Sequence, residues 1–209
     1  MQNKLFLIRH GETDYNRNHQ MQGRGIDAPL NATGFQQAEA VAVYLENYQV
    51  DQVVSSSMLR ARQTANTIAE IQGCDRISHG DLDEMNFGDF EGKYFHDIAD
   101  DIETVHSKWV NGQTSYRIPG GESPEEVYER AGTRAMHYLH EYDGDTIAFV
   151  IHGRVIRILL SVWTGLGLEN MHRIEHANGA INYLTWNSVG FEVVYLNKVD
   201  HLNEVMRDA

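Results

Sequence analysis

The chain has 209 residues, 42% hydrophobic and 22% charged, with three prolines, which is the composition of one globular α/β-sized domain and excludes long linkers and disorder. Thirty Asp+Glu against seventeen Lys+Arg leave a formal net charge of −13, so no global field draws the protein to nucleic acid or to an anionic membrane surface. Any bound anion has to be met by a local arrangement of arginines, and the single cysteine, Cys74, excludes an intramolecular disulfide.

Leu5-Phe6-Leu7-Ile8 is a continuous apolar run, as in a strand buried on both faces, and it ends in Arg9-His10-Gly11. It is too short for the core of a signal peptide, and the best candidate for a membrane span, Val155 to Leu168, follows Arg154 and contains Arg157, so the expected location is the cytoplasm. Asn31 to Gly34 leads into a helix with Phe35, Ala38, Val41, Ala42 and Leu45 on its inner face. Gln52 to Ser55 reads as a second strand, with Ser56 or Ser57 as the cap of a helix from Leu59 to Ile71. Arg60 and Arg62 sit in that helix's first turn, where cations oppose the helix dipole; they are either solvated or set beside an anion.

Residues 80–122 are the least regular, rich in glycine and in aromatics from Phe87 to Tyr116. Short helices are expected near Phe95–Asp100 and Ile102–Val110, and the insert, about 85–122, is either a lid or a satellite core. Ser123-Pro124-Glu125-Glu126 is a helix start with a capping box, and Val127, Ala131, Ala135, Tyr138 and Tyr142 continue its apolar stripe. Thr146 to Ile151 is a second strongly apolar strand ending at His152-Gly153, followed by a buried helix from Val155 to Trp163 and a hairpin about Asn187 to Gly190. The pattern predicts a single α/β domain over 1–209, a three-layer sandwich with a mostly parallel mixed sheet flanked by helices and a small irregular, partly helical lid.

Two of the strongest strands therefore end in a histidine followed by glycine, His10-Gly11 and His152-Gly153. If they lie parallel and adjacent, both imidazoles meet beyond the carboxyl ends of the strands, where such folds bind ligands and where helix N-termini offer backbone donors. Arg9 and Arg60 would supply permanently charged forks for a phosphoryl group. Against this, any one histidine of eleven is more often a surface or hydrogen-bonded residue than a catalyst. His137 with His140, and His172 with His176, have helix-like spacings but no carboxylate or cysteine at ligand spacing, so no metal site is expected; Gly120-Gly121 lacks the Gly-Lys-Ser/Thr of a P-loop.

The stretch Arg9-His10-Gly11-Glu12-Thr13-Asp14-Tyr15-Asn16-Arg17 resembles the signature of the histidine phosphatase superfamily, the phosphoglycerate mutase-like fold. The likeness continues, in the family's order, through Gln22-Gly23, Pro29 to Gly34, Ser55 to Ala65, Leu82-Asp83-Glu84-Met85-Asn86-Phe87-Gly88-Asp89-Phe90-Glu91-Gly92, Pro119 to Ser123 and Val150 to Gly153. The resemblance implies that His10 accepts the phosphoryl group, that Arg9, Arg60 and His152 hold its oxygens, and that Glu84 is the proton donor of the phosphatase-type members. Asn16, Gln22, Gly23 and Gly153 then fall on the phosphate or substrate side. Arg154 stands where many relatives carry a small residue; it either meets a second anionic group or pairs with a surface carboxylate. Tyr94 and Tyr116 are further candidate substrate contacts.

Phosphoryl transfer needs in-line positioning and neutralised oxygens, which two arginines and a donating His152 supply without metal or cofactor. A backbone carbonyl on one nitrogen of His10 would fix its tautomer. No basic residue stands beside Glu84 as it does in the mutases, so the resemblance points to a phosphatase of small organic phosphomonoesters, acting on a small phosphorylated molecule and on neither nucleic acid nor membrane. The alternatives are a cofactor-dependent mutase and a non-catalytic domain that binds phosphorylated ligands or protein.

Overall fold

The computed structural model describes residues 2–203 and 205. Six strands, β1 (Asn3–Arg9), β2 (Gln52–Ser56), β3 (Asp75–His79), β4 (Thr146–Ile151), β5 (Ile181–Trp186) and β6 (Phe191–Lys198), form one mixed sheet in the order β3-β2-β4-β1-β5-β6. β1 runs parallel to β4, and β2 parallel to both β4 and β3; β5 alone is reversed, pairing antiparallel with β1 and β6. The helices are α1 (Asp14–Arg17), α2 (Ala32–Leu45), α3 (Leu59–Gln72), α4 (Ala99–Val110), α5 (Pro124–Glu141) and α6 (Gly153–Trp163).

The unbroken apolar runs of β1 and β4 are explained by helices on both faces. Leu5, Leu7, Phe149 and Ile151 pack with Val127, Ala131 and Ala135 of α5 and Val155 and Leu159 of α6. Phe6, Ile8, Ala148 and Val150 pack with Val41, Ala42 and Leu45 of α2 and Ala61, Ala65 and Ile68 of α3. Helix starts follow the sequence signals where side chains cap them: Ser123 Oγ accepts from Glu126 N–H at 3.3 Å while Glu126 accepts from Ser123 N–H at 2.9 Å. Among the described residues no helix is long and apolar enough to cross a membrane.

Four local expectations change. Phe35 is 42% exposed, because the inner stripe of α2 is carried by Gly34, Gln37, Ala38, Val41, Ala42 and Leu45. Neither Ser56 nor Ser57 caps α3; Met58 holds that position without a side-chain bond, and both serine hydroxyls donate to Asp83. The helix expected near Phe95–Asp100 does not form, since residues 95–98 are turns, and the one expected over Ile102–Val110 starts earlier, at Ala99, as α4, with acids in its first turn and Lys108 in its last. β3 carried too little apolar signal to be anticipated; it is an edge strand whose Ile77 is 37% exposed. Within 80–122, Phe87, Phe90, Ile98, Val105, Trp109 and Ile118 join the apolar cluster on the α5–α6 side, while Tyr94, Phe95 and Tyr116 face solvent.

The turn after β1 touches the start of α2 so closely that a Cβ on Gly34 would press against the backbone oxygen of Glu12, and one on Gly11 against the backbone of Gly34. Alanine in a helix is favoured over glycine by about 1 kcal/mol, whereas forcing an atom into a packed contact costs about 1–3 kcal/mol. Because the obstructing atoms are backbone, the clash wins: Gly34→Ala is expected to lower the unfolding free energy in urea melts, and a stabilised variant would contradict this approach.

Candidate active site

Three adjacent parallel strands deliver their carboxyl ends to one place: β1 to His10, β4 to His152, and β2 to Ser56. The ladder is closed there by His10 N–H donating to Ile151 O at 3.0 Å, and the two imidazole rings lie 5.1 Å apart between centroids. His10 Nδ1 is 2.7 Å from the carbonyl of Gly11, and its Nε2 is 3.2 Å from Arg60 Nε. A carbonyl only accepts and a guanidinium only donates, so the proton sits on Nδ1 and the lone pair on Nε2. The same reasoning fixes His152. Ser56 Oγ donates to Asp83 Oδ1 at 2.8 Å, so it accepts from His152 Nε2, also at 2.8 Å. His152 Nδ1 is buried and has no partner among the described residues.

Both imidazoles are held neutral. Burial, then the charges of Arg60 and Arg9, hold His10 well below the usual histidine range; burial, then Arg60 and His10, do the same for His152. His10 is 3% exposed and His152 not at all. Arg60, expected either solvated or beside an anion, is 1% exposed, with Nη1 donating to Ile26 O at 2.8 Å and Nη2 to Gly23 O at 3.4 Å. Arg9 donates through Nη1 to His176 O at 3.1 Å and to His176 Nδ1 at 3.0 Å, while its Nε has no partner among the described residues. Burial pulls the guanidinium pKa of each down to about 10, against the opposing pull of Glu84.

Glu84 is buried at the N-terminus of α6. Its Oε1 accepts from Met85 N–H at 2.8 Å and its Oε2 from Arg154 N–H at 3.2 Å, which leaves lone pairs on both oxygens. A cavity of about 270 Å³ opens here, lined by Arg9, Asn16, Gln22, Glu84, Gly153 and Arg154 among others. Asn16 Oδ1 accepts from Thr13 and Asn178, and Gln22 Oε1 from Thr13, leaving the buried Gln22 Nε2 without a partner among the described residues. Gly23 presents its carbonyl to Arg60, and a Cβ there would strike Glu91 and Phe87. Gly153 makes room for His176, whose Cε1 would lie 2.6 Å from an added Cβ. The glycine after each histidine thus admits protein, the backbone of Gly34 for Gly11 and the His176 ring for Gly153.

Of the remaining candidates, Arg154 reaches the cavity, whereas Tyr94 stacks on His96 and Tyr116 offers Trp109 its carbonyl; neither tyrosine lines the cavity. His137 pairs with Glu141 and His140 packs on Trp186; His172 meets the ring of His106 and His176 serves Arg9. Sequence reasoning missed Arg157, His176, Asn178 and the Asp83–Ser56 pair. Arg157, a second charge after Arg154 on a largely apolar helix, was the one with a visible signal; it also lines the cavity.

The family model of the histidine phosphatase superfamily, branch 1, matches residues 5–199. The chain belongs to that superfamily. It is 31% identical over 207 residues to "Putative phosphoserine phosphatase 2" of Hydrogenobacter thermophilus, covering 97% of this chain and 98% of that one. It is equally 31% identical over 205 residues to "Probable phosphoglycerate mutase GpmB" of Escherichia coli, covering 96% and 95%. Among solved structures, a phosphoserine phosphatase variant from Entamoeba histolytica in complex with phosphoserine superimposes with a TM-score of 0.85 at 26% identity, covering 96% of this chain and 99% of that one.

The neutral histidines set a pH dependence. His176, desolvated in a half-buried position and facing Arg9, Arg157 and Arg154, is pulled down to about 2, and with His10 and His152 it stays unprotonated where unfolded histidines titrate, at about 6.5. Below that pH the unfolded chain binds protons that the folded one refuses. Stability is therefore lost as pH falls, by about 1.4 kcal/mol per pH unit for each such group. His79 and His201, also lowered by burial, act in the same sense. Urea melts at pH 7.5 and 5.5 should show the drop, with proton uptake on unfolding; a flat profile would contradict a neutral cluster.

Proposed function

We propose that this chain hydrolyses small organic phosphomonoesters through a phosphohistidine on His10 Nε2. What carries the reading is the doubly determined tautomer of His10: Gly11 O takes the Nδ1 proton and a guanidinium faces the lone pair, so the attacking atom is prepared beside the charges of Arg60 and Arg9. In the first step the Nε2 lone pair forms an N–P bond as the ester P–O bond breaks, and Glu84 gives its proton to the departing alkoxide. In the second, Glu84 takes a proton from water as the water oxygen attacks phosphorus; the N–P bond breaks, inorganic phosphate leaves and the lone pair returns to Nε2. Arg9 and Arg60 neutralise the equatorial oxygens, and His152 Nδ1, once protonated, donates to one of them. Asn16 and Gln22 offer side-chain amides to the same anion. The mechanism asks for no metal or cofactor, because the arginines supply the charge. The segment 85–122 serves as wall and lid over the pocket.

The name of the E. coli relative favours a second reading, in which the phosphoryl group returns to a substrate rather than to water. The residues flanking Glu84 are Asp83 and the fully buried Met85, which offer no cation to hold a second acceptor, and water is the simpler one. With 3-phosphoglycerate, release of phosphate marks the hydrolase; conversion to 2-phosphoglycerate in the presence of 2,3-bisphosphoglycerate marks the mutase.

His10→Ala is expected to abolish both phosphate release from 4-nitrophenyl phosphate and acid-labile labelling of the protein. Substantial residual turnover would mean that another residue attacks. Glu84→Gln should slow alkyl esters by roughly 10²–10⁴-fold and aryl esters much less, since a good leaving group needs no proton; equal losses on both would make Glu84 structural.

A further inference from the structure

Beside the reacting centre lies a second cavity of about 260 Å³, walled by Met21, Phe87, Phe90, Val105, Trp109 and Ile118. Arg154 and Arg157 line both cavities, so the two chambers share a cationic partition. Trp109 is 3% exposed and pinned by its indole N–H, which donates to Tyr116 O at 2.8 Å, so this wall is rigid.

Arg154 differs from the other site arginines in how it is satisfied. Arg9 and Arg60 spend donors on carbonyl oxygens, and Arg157 donates through Nε to Ile174 O at 2.8 Å. The guanidinium of Arg154 instead lies over aromatic faces, 5.4 Å from the centroid of Trp109 and 6.0 Å from that of Phe87, and its buried Nη1 has no acceptor among the described residues. Burial and the neighbouring Arg157 bring its pKa down to about 10, and Glu84 is the one carboxylate that opposes them. Buried donors of a charged group are normally paired. One left unpaired, on a side chain that lines both an apolar chamber and a phosphate pocket, is suited to an acceptor brought by the ligand.

We propose that this chamber is a specificity subsite, in which Arg154 binds a carboxylate and the Trp109 wall takes an apolar body, so that the enzyme selects phosphomonoesters carrying both. A planar carboxylate matches the guanidinium fork, and its charge offsets the excess of arginine over Glu84 at the partition. The position of the ester relative to this subsite rests on the hydrolase reading above; binding of the carboxylate to Arg154 does not.

Two measurements separate those claims. The first uses ligands without phosphate: calorimetric titration of the protein with 3-phenylpropanoate and with 3-phenylpropanamide. The acid is expected to bind about tenfold more tightly or better, the worth of one charge-assisted contact, and the ratio should fall near one in Arg154→Met. An amide that binds as well as the acid to the unsubstituted protein, or a ratio that survives Arg154→Met, overturns the subsite. The second compares kcat/KM for 2-phospho-3-phenyllactate, its carboxamide and 2-phospholactate. The first should exceed both others, and a flat series would overturn the claim that the subsite selects substrates. If 4-nitrophenyl phosphate is not turned over while the acid still outbinds the amide, the hydrolase reading fails and the carboxylate site stands.

Discussion

Everything at this site depends on keeping guanidinium groups charged where they are largely withdrawn from water, Arg60 buried and Arg9, Arg154 and Arg157 partly so. Arg9, Arg60, Arg154 and Arg157 all feel Glu84, and burial lowers the pKa of each; three of the four come down to about 10, still far above neutrality. An acidic protein has no lack of carboxylates to neutralise them, yet the fold brings mainly Glu84 and satisfies the cations with neutral acceptors, the carbonyls of Gly23, Ile26, Ile174 and His176. Carbonyl oxygens solvate a cation without cancelling it. The pocket thus keeps its positive potential, and the imidazoles of His10, His152 and His176 are driven neutral.

The strand pairing makes this concentration possible. β1 and β4 are parallel and adjacent, so the chain changes from sheet to turn at the same level in both, and β2 ends beside them with Ser56. The hydroxyl of Ser56 is the hinge between two functions of one loop: it donates to Asp83 and accepts from His152 and from Met58 N–H. With Ser56 so engaged, Met58 opens α3 without a cap of its own, and the side chain of Asp27 from another segment accepts from the N–H of Leu59.

Sequence patterning revealed the parallel core because β1 and β4 are buried on both faces and nothing polar interrupts them. The histidines were visible for the same reason, as abrupt polar ends of apolar runs. The quoted motifs, rather than periodicity, singled out Glu84, whose loop has no periodic signal. What stayed hidden depends on contacts between distant segments: His176 is recruited by Arg9 across 167 positions, and Asp83 is tied to Ser56 across 27. Tyr94 and Tyr116 illustrate the opposite error. Aromatic content marked their segment, but Phe87, Phe90 and Trp109 occupy its inner side and leave the tyrosines outward. β3 was missed because an edge strand needs no apolar face.

The bond from Arg60 Nε to His10 Nε2 has a chemical corollary. While that donor is engaged, the lone pair of His10 Nε2 is masked, and a neutral electrophile has nothing with which to dislodge the guanidinium. A tetrahedral dianion can draw the guanidinium onto its own oxygens and so unveil the nitrogen in the act of docking beside it. In the proposed hydrolase, reactivity is thereby conditional on the visitor's charge, and discrimination between esters of phosphate and uncharged acylating or alkylating agents is written into the ground state itself.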